Sequence, residues 1–328
     1  MANEAASGTS RRAFLGRAAG AAAAVAGAGV GAGALAQSAA AADQRTYTAG
    51  RFILELDGVS CGRVVGVDGG DLEGDVVYDV PVGIDNVQRK HIGGVKYEDF
   101  TLQVGSGMST AMYNWMKDSF DKGFAARKNG AIISGDFNWN EKSRQPLSNA
   151  FISSVTIPAL DGTVDIAPPA YVAVKVKPPI RQAPTKPDAS PAPMPPERTA
   201  KGWLPGNFVF EIDGVDTSRV ATIDSFTWKC TVAADGSFVL DVSDIGVTFP
   251  SARLSSWQRW LDSMLGGSDD ERDGRLTLVG ANNGAVITVG LSNLGLHRLY
   301  PQPGYASRVK AEMYVEKATW DIKKQNAA

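Results

Sequence analysis

Apolar and polar positions alternate in the same order at two places in the chain. Gly50-Arg51-Phe52-Ile53-Leu54-Glu55-Leu56-Asp57-Gly58-Val59 runs into Arg63-Val64 and Asp68. Gly206-Asn207-Phe208-Val209-Phe210-Glu211-Ile212-Asp213-Gly214-Val215 runs into Arg219-Val220 and Asp224. The offset is 156 throughout, and nine of nineteen positions are identical without a gap. Such self-similarity marks an internal repeat. Each copy predicts a strand, an Asp-Gly turn supplying the positive φ that a tight hairpin needs, and a second strand.

Further along, Phe100-Thr101-Leu102-Gln103-Val104 matches Phe238-Val239-Leu240-Asp241-Val242, each with the period-2 pattern of a strand and each followed by helical spacing. In the first copy Ser109 is the expected N-cap, Met112, Trp115, Met116 and Phe120 form the apolar stripe, and Gly123 ends the helix. In the second, Ser251 or Ser255 starts a helix carrying Leu254, Trp257, Leu261, Met264 and Leu265, and Gly266-Gly267 stops it. Stripes at this spacing are core faces. Strand patterns follow at 131–139, 151–157 and 171–177, then at 275–279, 285–291 and 308–322. One helix among about six strands per copy predicts a mainly β protein, a barrel or sandwich with the helix over an opening.

Two segments lie outside this pattern. Residues 178–205 hold Pro178, Pro179, Pro184, Pro187, Pro191, Pro193, Pro195, Pro196 and Pro205, a density of missing N–H donors that predicts an extended, semi-rigid spacer. Residues 1–42 read as a targeting segment. Ser10-Arg11-Arg12-Ala13-Phe14-Leu15 is a twin-arginine pattern, Ala18 to Ala36 is uncharged and rich in Ala and Gly, and small residues at 38–42 suit a signal peptidase. Arg11, Arg12, Phe14 and Leu15 are thus the expected export determinants, with a periplasmic or extracellular destination and no membrane association after cleavage. The expected organisation is 1–42 signal peptide, 43–177 first domain, 178–205 linker and 206–328 second domain.

Composition narrows the function. The 328-residue chain has a net charge of −2; removing three arginines and one glutamate with the leader, two positive charges net, makes it −4. A mildly acidic protein is no polybasic nucleic-acid binder. Cys61 and Cys230 are too few for a disulfide framework or a thiolate zinc site, and are read as buried thiols or one inter-domain bridge. His91 and His297 have no nucleophile in a recognised motif beside them, so no catalytic residue and no cofactor is assigned. Asp68, Asp71, Glu73 and Asp75 lie among glycines and are a weak Ca²⁺ candidate without EF-hand spacing; a solvated turn is the plainer reading, as for residues 269–273. Trp139, Trp203, Trp228 and Trp320 sit near strand ends, as core or as a sugar platform.

Taken together, Phe52-x-x-Glu55-x-Asp57-Gly58, the stretch 66–75, the long polar loop 78–94, Lys96-Tyr97-x-x-Phe100-Thr101-Leu102, Trp115 and Arg127-Lys128-x-Gly130 resemble the contractile-phage tail tube proteins, over roughly residues 50–177. That fold also builds the tubes of extracellular contractile injection systems and is similar to the haemolysin-coregulated protein of type VI secretion. The resemblance implies two tandem tail-tube-like β-barrel or sandwich domains, each with one α-helix. It also implies structural subunits without chemistry that join sheets edge to edge in hexameric rings. The long loop would contact neighbouring subunits, which makes Arg89, Lys90 and His91 the candidate contact residues. Two features depart from the family, whose tails assemble in the cytoplasm: the leader, and a second loop shorter by about 18 residues, 14 positions from Asp224 to Phe238 against 32 from Asp68 to Phe100.

The expected function is therefore an exported, non-enzymatic structural protein that associates with itself or with tail-like or surface proteins. It would form a pseudo-hexamer of three chains, a capped short assembly, or no tube. The alternative is a monomeric extracellular module for cell wall, glycan or protein that has lost tube formation.

Overall fold

A computed structural model describes residues 51–79, 85–105, 107–164, 168–180, 182–186, 203–233, 235–280, 284–305 and 307–321. The expected export signal, with Arg11, Arg12, Phe14 and Leu15, lies outside these residues, as does the spacer from 187 to 202.

The first half contains β1 (Arg51–Leu56), β2 (Val59–Val64), β3 (Gly66–Gly69), β4 (Leu72–Tyr78), β5 (Lys90–Tyr97), β6 (Phe100–Val104), α1 (Thr110–Lys122), β7 (Lys128–Gly135), β8 (Glu141–Ile157), β9 (Leu160–Asp161) and β10 (Val172–Lys177). The second contains β11 (Phe208–Ile212), β12 (Thr222–Ile223), β13 (Phe226–Val232), β14 (Phe238–Pro250), α2 (Leu254–Leu265), β15 (Arg272–Val279), β16 (Ala285–Pro301) and β17 (Arg308–Asp321). The protein is mostly β, and its large antiparallel sheet makes a sandwich-like arrangement rather than a closed barrel.

Strand pairing follows the same order in both halves. In the first it runs β1, β7, β8, β10, β6, β3; in the second, β11, β15, β16, β17, β14, β12. The halves are joined in one sheet because β13 pairs with the end of β8: Phe226 opposite Ile157, Thr227 opposite Thr156, Trp228 opposite Val155 and Lys229 opposite Ser154. The two threonine hydroxyls bond across the junction at 2.9 Å. Behind this seam the last turn of α1 pushes Phe120 against Trp228, ring centroids 4.6 Å apart and stacked, with Trp320 of β17 at 5.7 Å. A Cβ on Gly123, at the end of α1, would strike the ring of Phe238 on β14, so hairpin and helix end are in close approach.

Register corrects one sequence expectation. Val67 and Gly66 of β3 face Leu102 and Gln103, and Ile223 and Thr222 of β12 face Val247 and Thr248. The counterpart of Phe100–Val104 is therefore Ile245–Phe249, and the expected match Phe238–Val242 lies instead in the hairpin with β13. All period-2 strands share an alternation; which one occupies the slot is set by its neighbours. Asp224 to Ile245 spans 21 positions, so the second half is shorter by 11 here rather than by 18.

The repeated Asp-Gly turn also has different outcomes. Asp57 and Gly58, at φ 49 and 79, close a tight hairpin between β1 and β2. After Asp213-Gly214 no second strand forms, because residues 215–221 are drawn onto α2. The Asp216 carbonyl accepts the Trp257 indole N–H at 3.1 Å, its N–H donates to Ser256 Oγ at 3.1 Å, and its carboxylate meets Arg253 at 3.0 Å.

Both helices hold their core tryptophan alike. Trp115 Nε1 donates to the Ala126 carbonyl at 2.7 Å and Trp260 Nε1 to that of Asp270 at 2.8 Å. Ser109 sits at the N-cap in extended conformation without a capping side-chain bond, and Gly123 ends α1 at φ 54. A 3₁₀ turn over Ser251–Arg253 precedes α2. The proline-rich segment is not free at its ends: Thr185 exchanges two main-chain bonds of 2.8 Å with Arg144, and Trp203 bridges Ala170 with its ring buried.

Candidate association surface

Strands β4 and β5 form a two-stranded sheet of their own, separate from the main sheet. Leu72 lies opposite Tyr97, Glu73 opposite Lys96, Gly74 opposite Val95 and, beyond a bulge, Val76 opposite Ile92 and Tyr78 opposite Lys90. Since side chains alternate across a strand, one face carries Leu72, Val76, Val95 and Ile92 and the other Glu73, Asp75 and Lys96. Every residue of β5 is exposed, and the apolar face is bare. A two-stranded ribbon is at best marginal in water and gains from a third strand or a packing layer.

The expected contact residues stand at the outer end of this ribbon. Arg89 pairs with Asp85 at 2.7 Å, His91 Nδ1 lies 2.8 Å from Asp79, and the Lys90 ammonium sits 5.0 Å from the centre of the Tyr78 ring. Each of the three has its partner within the hairpin.

The weak Ca²⁺ candidate divides. Glu73 and Asp75 flank Lys96 Nζ at 3.7 and 3.6 Å, so a cation of the protein already sits between them. Asp68 is on β3, and the Asp71 carbonyl accepts the Glu98 N–H. Among the described residues no group of three or more His, Cys, Asp or Glu is placed to hold a metal ion.

Other chemistry-bearing groups have structural surroundings. Cys61 and Cys230 are buried and not joined in a disulfide, and burial pushes the Cys61 thiol up from its ordinary value. His297 Nε2 faces Asp244 at 3.2 Å, exposed. A shallow cleft of about 350 Å³ beside α1 is lined in part by Asp57, Trp115, Asp118 and Lys128. There Lys128 Nζ bonds the Asp57 carboxylate at 2.7 Å and holds it below the usual carboxylate range. The Asn129 N–H adds a second contact, so Asp57 serves as a brace for the turn. Of the four tryptophans near strand ends, Trp203, Trp228 and Trp320 are core. Trp139 is half-buried in a turn under the Arg51 guanidinium, 4.4 Å from its centroid.

Sequence reasoning missed Trp260, although its place three residues after Trp257 was the available signal. It placed Leu265 in the core, whereas Leu265 is 72% exposed.

Residues 48–166 match the family model described as T4-like virus tail tube protein gp19. The match covers the first half from β1 to β9, including the β4–β5 ribbon, and stops before β10. Among solved structures, a type VI secretion system effector from Yersinia pestis is similar at 17% identity, covering 37% of this chain and 94% of its own, with a TM-score of 0.26. No curated protein matches the chain.

Proposed function

We propose that this chain is an exported, non-enzymatic structural protein made of two tail-tube-like units in tandem, which associates with copies of itself or with other tail-like or surface proteins through sheet edges. The observation that carries the reading is the β4–β5 ribbon, a separate sheet with a bare apolar face lying inside the segment that matches the tail tube family. An exposed apolar strand pair is a template for pairing with another chain and is kept only where a partner covers it. The repeated opening motif and the shared pairing order support two copies of one unit. A ring of six units then needs three chains.

Size-exclusion chromatography with light scattering on the chain from residue 43 tests this, followed by negative-stain microscopy. Rings, short tubes or discrete oligomers are the expected result. A monomer overturns the structural reading and favours an extracellular binding module. Export rests on Arg11 and Arg12: replacing both by Lys leaves precursor in the cytoplasm, and normal secretion of that variant overturns the twin-arginine assignment.

A further inference from the structure

The seam inside the chain has a vacant twin. Register fixes the correspondence between the two hairpins. Leu72 opposite Tyr97 in the first occupies the place of Trp228 opposite Val242 in the second, and Glu73 opposite Lys96 that of Lys229 opposite Asp241. Likewise, Ser154, Val155 and Thr156 on β8 face Lys175, Val174 and Ala173 of β10, as Arg298, Leu299 and Tyr300 on β16 face Glu312, Ala311 and Lys310 of β17. On its other side that stretch of β8 holds β13. The matching stretch of β16, Arg298–Pro301, has β17 as its one strand neighbour among the described residues.

The helices repeat the asymmetry. Trp115 and Trp260 correspond through their equivalent indole bonds, so Phe120, five residues after Trp115, corresponds to Leu265, five residues after Trp260. Phe120 is 3% exposed because it meets Trp228; Leu265 is 72% exposed, and Leu72, which stands where Trp228 does, is 65% exposed. Val95, in the position of the partly buried Leu240, is 62% exposed. The residues left bare are thus the two halves of one unmade contact, a hairpin face in the first unit and a helix end with a sheet edge in the second.

We infer that the β4–β5 ribbon of one chain docks between the β16 edge and the last turn of α2 of a second copy of this chain, in the register of the internal seam: Gly70 opposite Pro301, Asp71 opposite Tyr300, Leu72 opposite Leu299 and Glu73 opposite Arg298. This rests on the self-associating reading above and specifies its interface. The contact is head-to-tail, since ribbon and groove lie on different units, so it propagates into a closed ring or an open filament. The register sets Leu72 against Leu299 and Leu265, and a carboxylate of β4 against a guanidinium of β16, an opposite-charge cross-strand pair.

The test is disulfide trapping in the chain from residue 43 carrying Leu72→Cys and Leu299→Cys together. Directly opposed strand residues stand within disulfide reach, and Cys61 and Cys230 are buried. Mild oxidation is expected to give a ladder of covalent multiples in the double variant and none in either single variant. As a second measurement, Leu265→Asp, at an exposed position, weakens association about tenfold or more. Glu73→Lys weakens it as well, and Arg298→Glu added to Glu73→Lys restores part of the loss. Assembled particles with no ladder would overturn this register while leaving self-association standing. A disulfide dimer from Leu72→Cys alone would overturn it in favour of ribbon-to-ribbon pairing. A monomeric parent protein would overturn both readings.

Discussion

The last turns of α1 and α2 occupy equivalent places in the two halves, and Phe120 of the first is buried while Leu265 of the second is exposed. Up to that turn the helices agree: Met112, Trp115 and Met116 on α1 and Trp257, Trp260 and Leu261 on α2 are buried. Past it, Ser119 and Phe120 are covered whereas Leu265 is in solvent. Each helix covers its own core with its first two and a half turns, and the remainder packs on whatever sheet comes next. For α1 that sheet is β13 with β17 of the same chain. Burial at this position is decided by the neighbouring unit, so local amphipathicity describes the two helix ends equally and explains only one.

Truncation of the covered end breaks this comparison most severely. Phe120→Ala removes an aromatic side chain stacked on Trp228 and tilted against Trp320 and is expected to destabilise the chain by about 3–5 kcal/mol, the range for Phe→Ala in cores. Leu265→Ala is expected to change it by less than about 0.5 kcal/mol, as exposed positions do. Urea unfolding of both variants at concentrations where the chain is dissociated makes the comparison; equal losses would mean that α2 has a partner within the chain.

The shared part of the helices should answer equally. Trp115→Phe and Trp260→Phe each keep most of the ring volume and remove one indole donor from a carbonyl, Ala126 or Asp270. Leaving a buried acceptor unpaired costs about 1–3 kcal/mol. Two losses of similar size are expected from the same unfolding curves, and a large loss in one with none in the other would argue against equivalent helices.

Much of the fold is legible in the chain because strand alternation and helical spacing are local. The opening motif Phe52 to Asp68 and its repeat mark where each half begins, and the stripe at Met112, Trp115, Met116 and Phe120 marks α1 with its core face. What was misread depends on partners distant in sequence. Phe238-Val239-Leu240-Asp241-Val242 resembles β6 in pattern, yet Ile245–Phe249 takes that slot because β12 and β17 flank it. The strand expected after Gly214 fails because Asp216 finds Trp257, Ser256 and Arg253. The candidate surface was legible as a long polar loop with a basic tip. Its apolar face was not, since Leu72, Val76, Ile92 and Val95 come onto one side only through the register and bulge of the ribbon.

A smaller effect separates the tip of the ribbon from its base. Arg89 and Lys90 are satisfied within the hairpin by Asp85 and by the Tyr78 ring, while Leu72 and Val95 near the base are bare. Reversing both charges, Arg89→Glu with Lys90→Glu, is expected to weaken association by a few-fold, mainly by slowing encounter, as changes to rim charges do. Light scattering across a dilution series would detect it. A loss as large as that from Leu265→Asp would move the contact outward to the tip.

The smallest difference between the halves lies in the turns before β8 and β16. The same main-chain bond closes both, Asp136 N–H to the Asn140 carbonyl and Gly280 N–H to that of Gly284, each at 2.9 Å. Only the first carries a carboxylate. The Asn140 N–H, foremost, with the Asn140 side-chain amide, Lys142 and the Asn138 N–H, holds Asp136 down at about 2 from an ordinary 3.8. A carboxylate whose folded value is depressed contributes stability that is fully present above its unfolded value and lost as pH falls through the folded one, here between about pH 4 and pH 2. Asp57, Asp216, Asp235, Asp270 and Glu312 are lowered too and act in the same direction. Asp136→Asn keeps an acceptor for the turn amides and removes the titration. Its urea midpoint should therefore fall less than the parent's over that window, while the two proteins keep a constant difference above pH 5. Parallel curves down to pH 2 would show that the carboxylate braces the turn no better than the glycine of the second half.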